Sequence, residues 1–345
     1  MRKLNGAYAI EVLNGRLNGS SSQVEINKSG YKNATFTKKI AGKSKISSPC
    51  QKYNMKGYMD IMFNLALADR VKEGKQIKAF IDPFNNEIDD IFAFMIADKV
   101  EISEEQYQAL PDIQKNLFKK SKNVYYSNIT KKRRSRLEMN ALVNVSTGKV
   151  NWEWNVASST TDSMPYQQEV YSGVHSSIFN LNIDDIGRFV ISDNPSEYRD
   201  YSVEEAQIAG VRDLTNEERL KRVNNVLEAL EFLSISSGQT NYLTDTKPKF
   251  IILADYSWGN NAFQGILKEN GVDIDMLKEC IAQNESHRLS NIYIGVNRFF
   301  NDTFTNMKEE LEEAFKDDDY VQVSNVHAAF ENYKAELRTN LLDNK

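Results

Sequence analysis

The alternation of apolar and polar positions cuts this chain into short strands and a few long helices. Residues 7–13 (AYAIEVL) set Tyr8, Ile10 and Val12 on one face, which predicts a strand. Residues 14–23, rich in Gly, Asn and Ser, read as the loop that ends it. Ser47-Ser48-Pro49 reads as a helix start, with serine at the cap and proline in the first turn. That helix is expected to run from Cys50 to Val71, with Tyr53, Met55, Met59, Met62, Phe63, Ala66 and Leu67 on its apolar face. The apolar run within residues 82–100 suits a strand or a helix equally, and residues 103–120 read as helix interrupted or restarted at Pro111. Residues 137–145 (LEMNALVNV) alternate like a strand. Residues 148–172 place Trp152, Trp154, Met164, Pro165 and Tyr166 among Ser and Thr, the pattern of a long exposed hairpin. Leu214 to Leu233 is the clearest helix, because Thr215 and Glu218 form a capping box ahead of Leu220, Val223, Leu227 and Leu230. Residues 249–256 and 291–296 read as buried strands, and the C-terminus as an acidic helix. Strand, helix, strands, helix, strand with a long insertion fits a ferredoxin-like or RRM-like α+β core, and other α+β folds as well.

Charge changes the picture. The net charge of −5 hides a segregation. Residues 26–59 hold Lys28, Lys32, Lys38, Lys39, Lys43, Lys45, Lys52 and Lys56 and no acid. Residues 113–137 hold nine cations, among them Lys131, Lys132, Arg133, Arg134 and Arg136, again without an acid. Phosphate recognition depends on local cation density, so an acidic chain can still present a positive trough where two such stretches converge. In the first window, lysines flank a loop that runs into a helix start. There Ser47, Ser48 and backbone amides can hold a phosphate, with Gln51, Lys52 and Lys56 on the first turns. The second cluster reads equally as an RNA contact or a solvated turn. Trp152, Trp154 and Met164 suit a wedge that stacks on bases or packs against a neighbouring copy. Ser237, Gly238 and Gln239 form a small-residue loop able to approach a backbone closely.

Other chemistry is thin. Cys50 and Cys280 are far apart, which fits a reducing cytosol and no zinc site. His175, His287 and His327 lack ligand spacing, and no phosphate-loop or GxSxG motif exists. Asp82, Glu87, Asp89, Asp90, Asp184 and Asp185 are expected to cap turns rather than hold a metal for a nuclease. No membrane span, cofactor or metal is expected.

The opening strand with NGRLNG, then ISSPCQKYNMKGYM, SRLEMNALVNV, FNLNIDDIGRF and LEFLSISSGQTNYLTDTKPKFII, occur in an order that resembles the DevR-type branch of the Cas-seven family. These are the backbone subunits of type I CRISPR surveillance complexes (Cascade), with subtype I-B the best fit. The resemblance implies one domain over residues 1–345 with an RRM-like palm, inserted finger-like elements and a thumb hairpin. Residues 24–59 would be the lysine-rich loop and helix start within the palm, and residues 137–176 the strand and thumb. It also implies a non-enzymatic, cytoplasmic protein of antiviral defence that binds guide CRISPR RNA and stacks head to tail with further copies. Its other expected partners are the target DNA strand paired to the guide and the remaining Cascade subunits. A metal-dependent RNA nuclease, and a stand-alone RRM-like RNA binder, are the alternatives.

Overall fold

The computed structural model describes residues 1–18, 34–65, 70–73, 76–79, 81–109, 115, 118–122, 124–146, 150–158, 163–194 and 198–342. Lys28 and Lys32 of the first basic window lie outside the described residues. The residues gather into two compact units. The first combines Met1–Phe63, Glu138–Asp184 and Val223–Lys345; the second combines Asn64–Leu137 and Asp185–Arg222.

The first unit is built on a mixed sheet flanked by helices. Its elements include β1 (Lys3–Gly15), β2 (Lys39–Ile40), β3 (Lys43–Ile46), α1 (Ser48–Phe63), β4 (Leu142–Asn144), β5 (Val150–Ser158), β6 (Ser163–Asn182), the part of α2 (Asn216–Glu231) from Val223 onward, β7 (Phe250–Tyr256), β8 (Ile292–Val296), β9 (Val321–Ser324) and α3 (Val326–Leu342). The strand order is β9-β8-β7-β1-β6-β4-β3-β2, with β5 paired to β6 as a hairpin. Only β8 and β9 run parallel along this path.

β1 is central, so both of its faces are covered, not the single face that alternation suggests. Ala7 and Ala9 join Phe250, Ile252, Phe263, Leu277 and Leu311 in an apolar core on one face. On the other face the buried Tyr8 hydroxyl donates to Gln51 of α1. Small side chains serve this crowding: a Cβ at Gly6 would lie 2.2 Å from the Phe179 ring. β7 (FIILADY) is buried throughout, which is why it reads as a continuous apolar run.

Several expectations meet their elements. The Thr215–Glu218 box closes in both directions, with Glu218 N donating to Thr215 Oγ1 at 3.3 Å and Thr215 N donating to Glu218 Oε2 at 2.7 Å. The expected exposed hairpin is β5–β6, in register from Val150↔Tyr171 to Ser158↔Ser163. Other expectations are corrected. α1 ends at Phe63 rather than Val71, because Asn64 takes a left-handed φ of 52° and stops the helix. Residues 137–145 form two short strands, Leu137–Met139 and β4, rather than one.

In the second unit, Phe94–Ile102, Val124–Arg133 and Lys119–Ser121 form an antiparallel sheet. The ambiguous apolar run is thus a short helix, Glu87–Ile91, followed by strand. The helix expected over 103–120 is confined, among the described residues up to Gln108, to Glu104–Gln108, capped by Ser103 and Gln106.

Candidate nucleic-acid interface

The lysine-rich loop is a hairpin. Ile40 pairs with Lys43 across a two-residue turn whose Ala41 and Gly42 both have positive φ, 48° and 79°. Positive φ at both turn positions matches the twist of a tight hairpin. β3 (KSKI) alternates accordingly: Ser44 and Ile46 are buried while Lys43 is exposed and Lys45 half-buried. Lys45 N donates to Lys38 O at 2.9 Å, which sets those two residues opposite each other. Side chains alternate along a strand, so Lys38, Lys43 and Lys45 share one face at the edge of the sheet. None of the three makes an ion pair among the described residues. Lys39 points the other way and is neutralised: its Nζ lies 2.6 Å from Glu169 Oε1, and Glu169 Oε2 accepts from Thr37 N at 2.8 Å. Glu169 sits at the root of the thumb-like hairpin, opposite Trp152. The acid-free window had concealed this carboxylate, since it comes from 130 residues away.

The buried side of the hairpin is a polar cluster. Ser44 Oγ and His175 Nε2 are 2.9 Å apart, and Asn144 Nδ2 donates to Ser44 Oγ at 3.4 Å. Burial pushes the His175 imidazole down to about 4. These contacts hold the lysine face outward.

α1 packs on that same inner side. Gln51, proposed as a contact, is fully buried; its Nε2 donates to Ile46 O and Asn140 O at 3.1 Å each. It anchors the helix and has no surface to offer. Lys52 and Lys56, one turn apart, are half-buried on α1. Burial, and then Lys56, lowers the Lys52 ammonium from its usual range, while Glu138 opposes this. Ser48 opens the helix, and Ser47 Oγ donates to Asn18 Oδ1 at 3.3 Å. Asn18 Nδ2 in turn donates to Lys45 O at 2.9 Å. Asn54 Oδ1 accepts from Ser236 N and Oγ at 2.9 and 3.0 Å, drawing the small-residue loop to α1. There Gly238 (φ 75°) is obligatory, because a Cβ would lie 2.7 Å from Arg16 O. Ser237 is half-buried. Gln239 is corrected to a structural role: its amide bonds Ile235 O, Thr244 O and Thr244 N, which closes the turn. Arg16, Asn18, Asn54 and Glu169 are the residues that sequence reading missed. Arg16 and Asn18 lie within NGRLNG, a legible signal; Glu169 gave none.

On the hairpin, Trp152 and Trp154 are 45% and 56% exposed. Trp152 meets Phe36 edge-on at 5.3 Å. Met164 lies in β6, with its side chain outside the described residues.

The second basic window lies in the second unit and behaves differently. Lys131–Arg133 end one strand, and the stretch leads on into Leu137–Met139. Arg133 is buried and ion-paired to Asp90 and Asp200, with its Nε donating to Asp90 O at 2.8 Å. Asp90 also holds Arg222 at 2.7 Å. Arg136 pairs with Asp185 at 3.4 Å, and Lys131 with Glu205. Arg133 and Arg136, proposed as RNA contacts, are therefore reassigned to the interior of this unit. Arg134 remains exposed. The carboxylates behave as expected of turn and ion-pair residues; Asp82, for instance, accepts from Tyr201 Oη at 2.6 Å. Among the described residues, Glu231, His327 and Glu331 converge, but Lys334 sits 2.9 Å from Glu331 and already balances their charge. No described helix is long and apolar enough to cross a membrane.

Comparison places the chain. No curated protein matches it. Chains of two solved structures, described as "CRISPR RNA-guided surveillance complex" and "CRISPR RNA-guided surveillance complex, pre-nicking", are similar at 10% and 9% identity. The similarity covers 97% of this chain in both cases and 99% and 100% of those chains, with TM-scores of 0.46 and 0.49. A family model described as "CRISPR-associated negative auto-regulator DevR/Csa2" matches residues 31–257, more than half of the 345. The chain belongs to the CRISPR-associated DevR/Csa2 family.

Proposed function

We propose that this protein is a guide-RNA-binding backbone subunit of a type I CRISPR surveillance complex, subtype I-B. The observation that carries the reading is the edge hairpin, whose one face presents Lys38, Lys43 and Lys45 without ion-pair partners among the described residues. Three cations at β-spacing suit consecutive phosphates of a single strand and discriminate no base, which is what a variable guide requires. Lys52 and Lys56, with the α1 start, meet the same strand as it rounds the sheet edge. Family membership supports the reading.

The order β7-β1-β6-β4, with α1 and α2 in the two crossovers, supports reading this part as an RRM-like palm. In this reading β5–β6 is the thumb, its Trp152 and Trp154 ridge meets the RNA bases or the next copy, and the second unit supplies the fingers. Copies stack head to tail on the guide, beside other Cascade subunits, and support pairing with the target DNA strand; an interface that does not close yields a filament. In this reading the subunit is non-catalytic, and Glu169 beside the lysine hairpin is engaged by Thr37 and Lys39.

Purified protein mixed with CRISPR RNAs of increasing spacer length tests this by light scattering. The bound copy number should rise in steps with length. A fixed one-to-one complex at every length, or RNA cleavage with magnesium, overturns the reading.

A further inference from the structure

In the second unit Lys120, Lys131, Arg133 and Arg136 of the basic window are ion-paired, whereas Lys132 and Arg134 are not. Lys132 and Arg134, two apart and so on one side of the chain, both turn to Tyr198. The Arg134 guanidinium carbon lies 4.8 Å from the ring centroid and the Lys132 Nζ 5.9 Å from it. Neither makes an ion pair among the described residues, in contrast to Lys131, Arg133 and Arg136 on the same stretch. Tyr198 is 49% exposed, and Met95, paired with Lys132 across the sheet, is 71% exposed. An aromatic ring and a thioether left in water beside two unpaired cations are the elements of a stacking platform with phosphate contacts. A protein partner would meet two uncompensated charges here; a nucleic-acid strand supplies their counter-charge.

We propose that Met95, Lys132, Arg134 and Tyr198 form a binding site for single-stranded nucleic acid within the second unit. Lys132 and Arg134 take phosphates. Tyr198 is a positioning residue that fixes the guanidinium by cation–π contact and offers its edge to a base or sugar. This goes beyond the guide-RNA contact proposed for the first unit and does not depend on it. The strand has two sources, the guide RNA and the single-stranded DNA that the guide pairs with or displaces.

Fluorescence anisotropy across a salt series, with a labelled guide-length RNA and a DNA of the same length, tests the site in the full chain. K132Q/R134Q should keep the melting temperature and lower the slope of log affinity against log salt by roughly 1.4, two phosphate contacts on a single strand. Loss with RNA alone identifies the guide as occupant, and loss with DNA alone the target or displaced strand; both support the site. Tyr198→Phe should bind as the parent, whereas Tyr198→Ala should weaken binding. Photo-cross-linking of the unmutated protein to 4-thiouridine or 4-thiothymidine strands should label residues 95, 132–134 or 198. Unchanged slopes with both strands in K132Q/R134Q, or cross-links that all fall elsewhere, overturn the proposal.

Discussion

Two stretches of this chain look alike on paper and fare oppositely in space. Residues 26–59 and 113–137 are both dense in cations and free of acids. In the first, Lys38 and Lys43 are exposed, and Lys39 meets a carboxylate. In the second, Arg133 and Arg136 turn inward to Asp90, Asp200 and Asp185 and hold a unit together. The difference teaches that an acid-free window says nothing about acids that folding delivers to it. Guanidinium groups, with planar forks that bond carboxylates in two places, are the cations that suit burial. Ammonium groups on flexible stems remain solvated, and here the lysines supply most of the outward charge.

The comparison breaks first at Arg133. Replacing it with Met leaves Asp200 buried without its main partner; burial already pushes that carboxyl up, and Arg133 is what pulls it back. Removal of one member of a buried pair costs about 3–5 kcal/mol, so thermal melting should show a large drop. An unchanged transition would place Arg133 at the surface and restore it as a nucleic-acid contact.

Next comes pH, which probes the cluster under the lysine hairpin. His175 titrates near 4 in the fold and near 6.5 in an unfolded chain. A depressed value means that stability is full above about 6.5 and falls as pH drops toward 4, by roughly 3 kcal/mol in all. Asp255 opposes this. Burial raises its carboxyl to about 6, so it gains stability over the same descent. Urea unfolding between pH 7 and 4 should therefore show a steeper acid loss in D255N than in the parent, and a shallower loss in D255N/H175Q than in D255N.

A smaller effect on stability and a clear one on binding belong to the outward lysines. Lys38, Lys43 and Lys45 changed together to Gln should shift melting by no more than about 0.5 kcal/mol each. The same change should lower the slope of log RNA affinity against log salt by roughly 2. A preserved slope would remove the edge hairpin from the RNA path. The least change in stability is expected for Trp152 and Trp154, both about half exposed. Replacing both with Ser should leave the melting transition in place while weakening RNA-dependent assembly; a collapsed transition would make them core.

Much of the fold was legible because its signals are local. The Thr215–Glu218 box, the hairpin at 148–172 and the apolar run at Phe250–Tyr256 depend on neighbours a few residues apart. Even the overlong helix carried its own stop, in Asn64. The site was half legible. Lys38, Lys43 and Lys45 declare themselves by type. Gln51 and Gln239 have the composition of contacts and the geometry of struts, since their amides close turns and join α1 to the sheet.

What the sequence alone determined is the set of local elements, the segregation of charge and the family to which its motifs point. What only tertiary structure decided is which cations keep their charge in water. Asp90 and Asp200 reach Arg133 from 43 and 67 residues away, and Glu169 reaches Lys39 from 130. Pairing over such distances depends on how strands and helices are brought together, and Coulomb attraction, strong only at contact range in a desolvated interior, leaves no periodic trace along the chain.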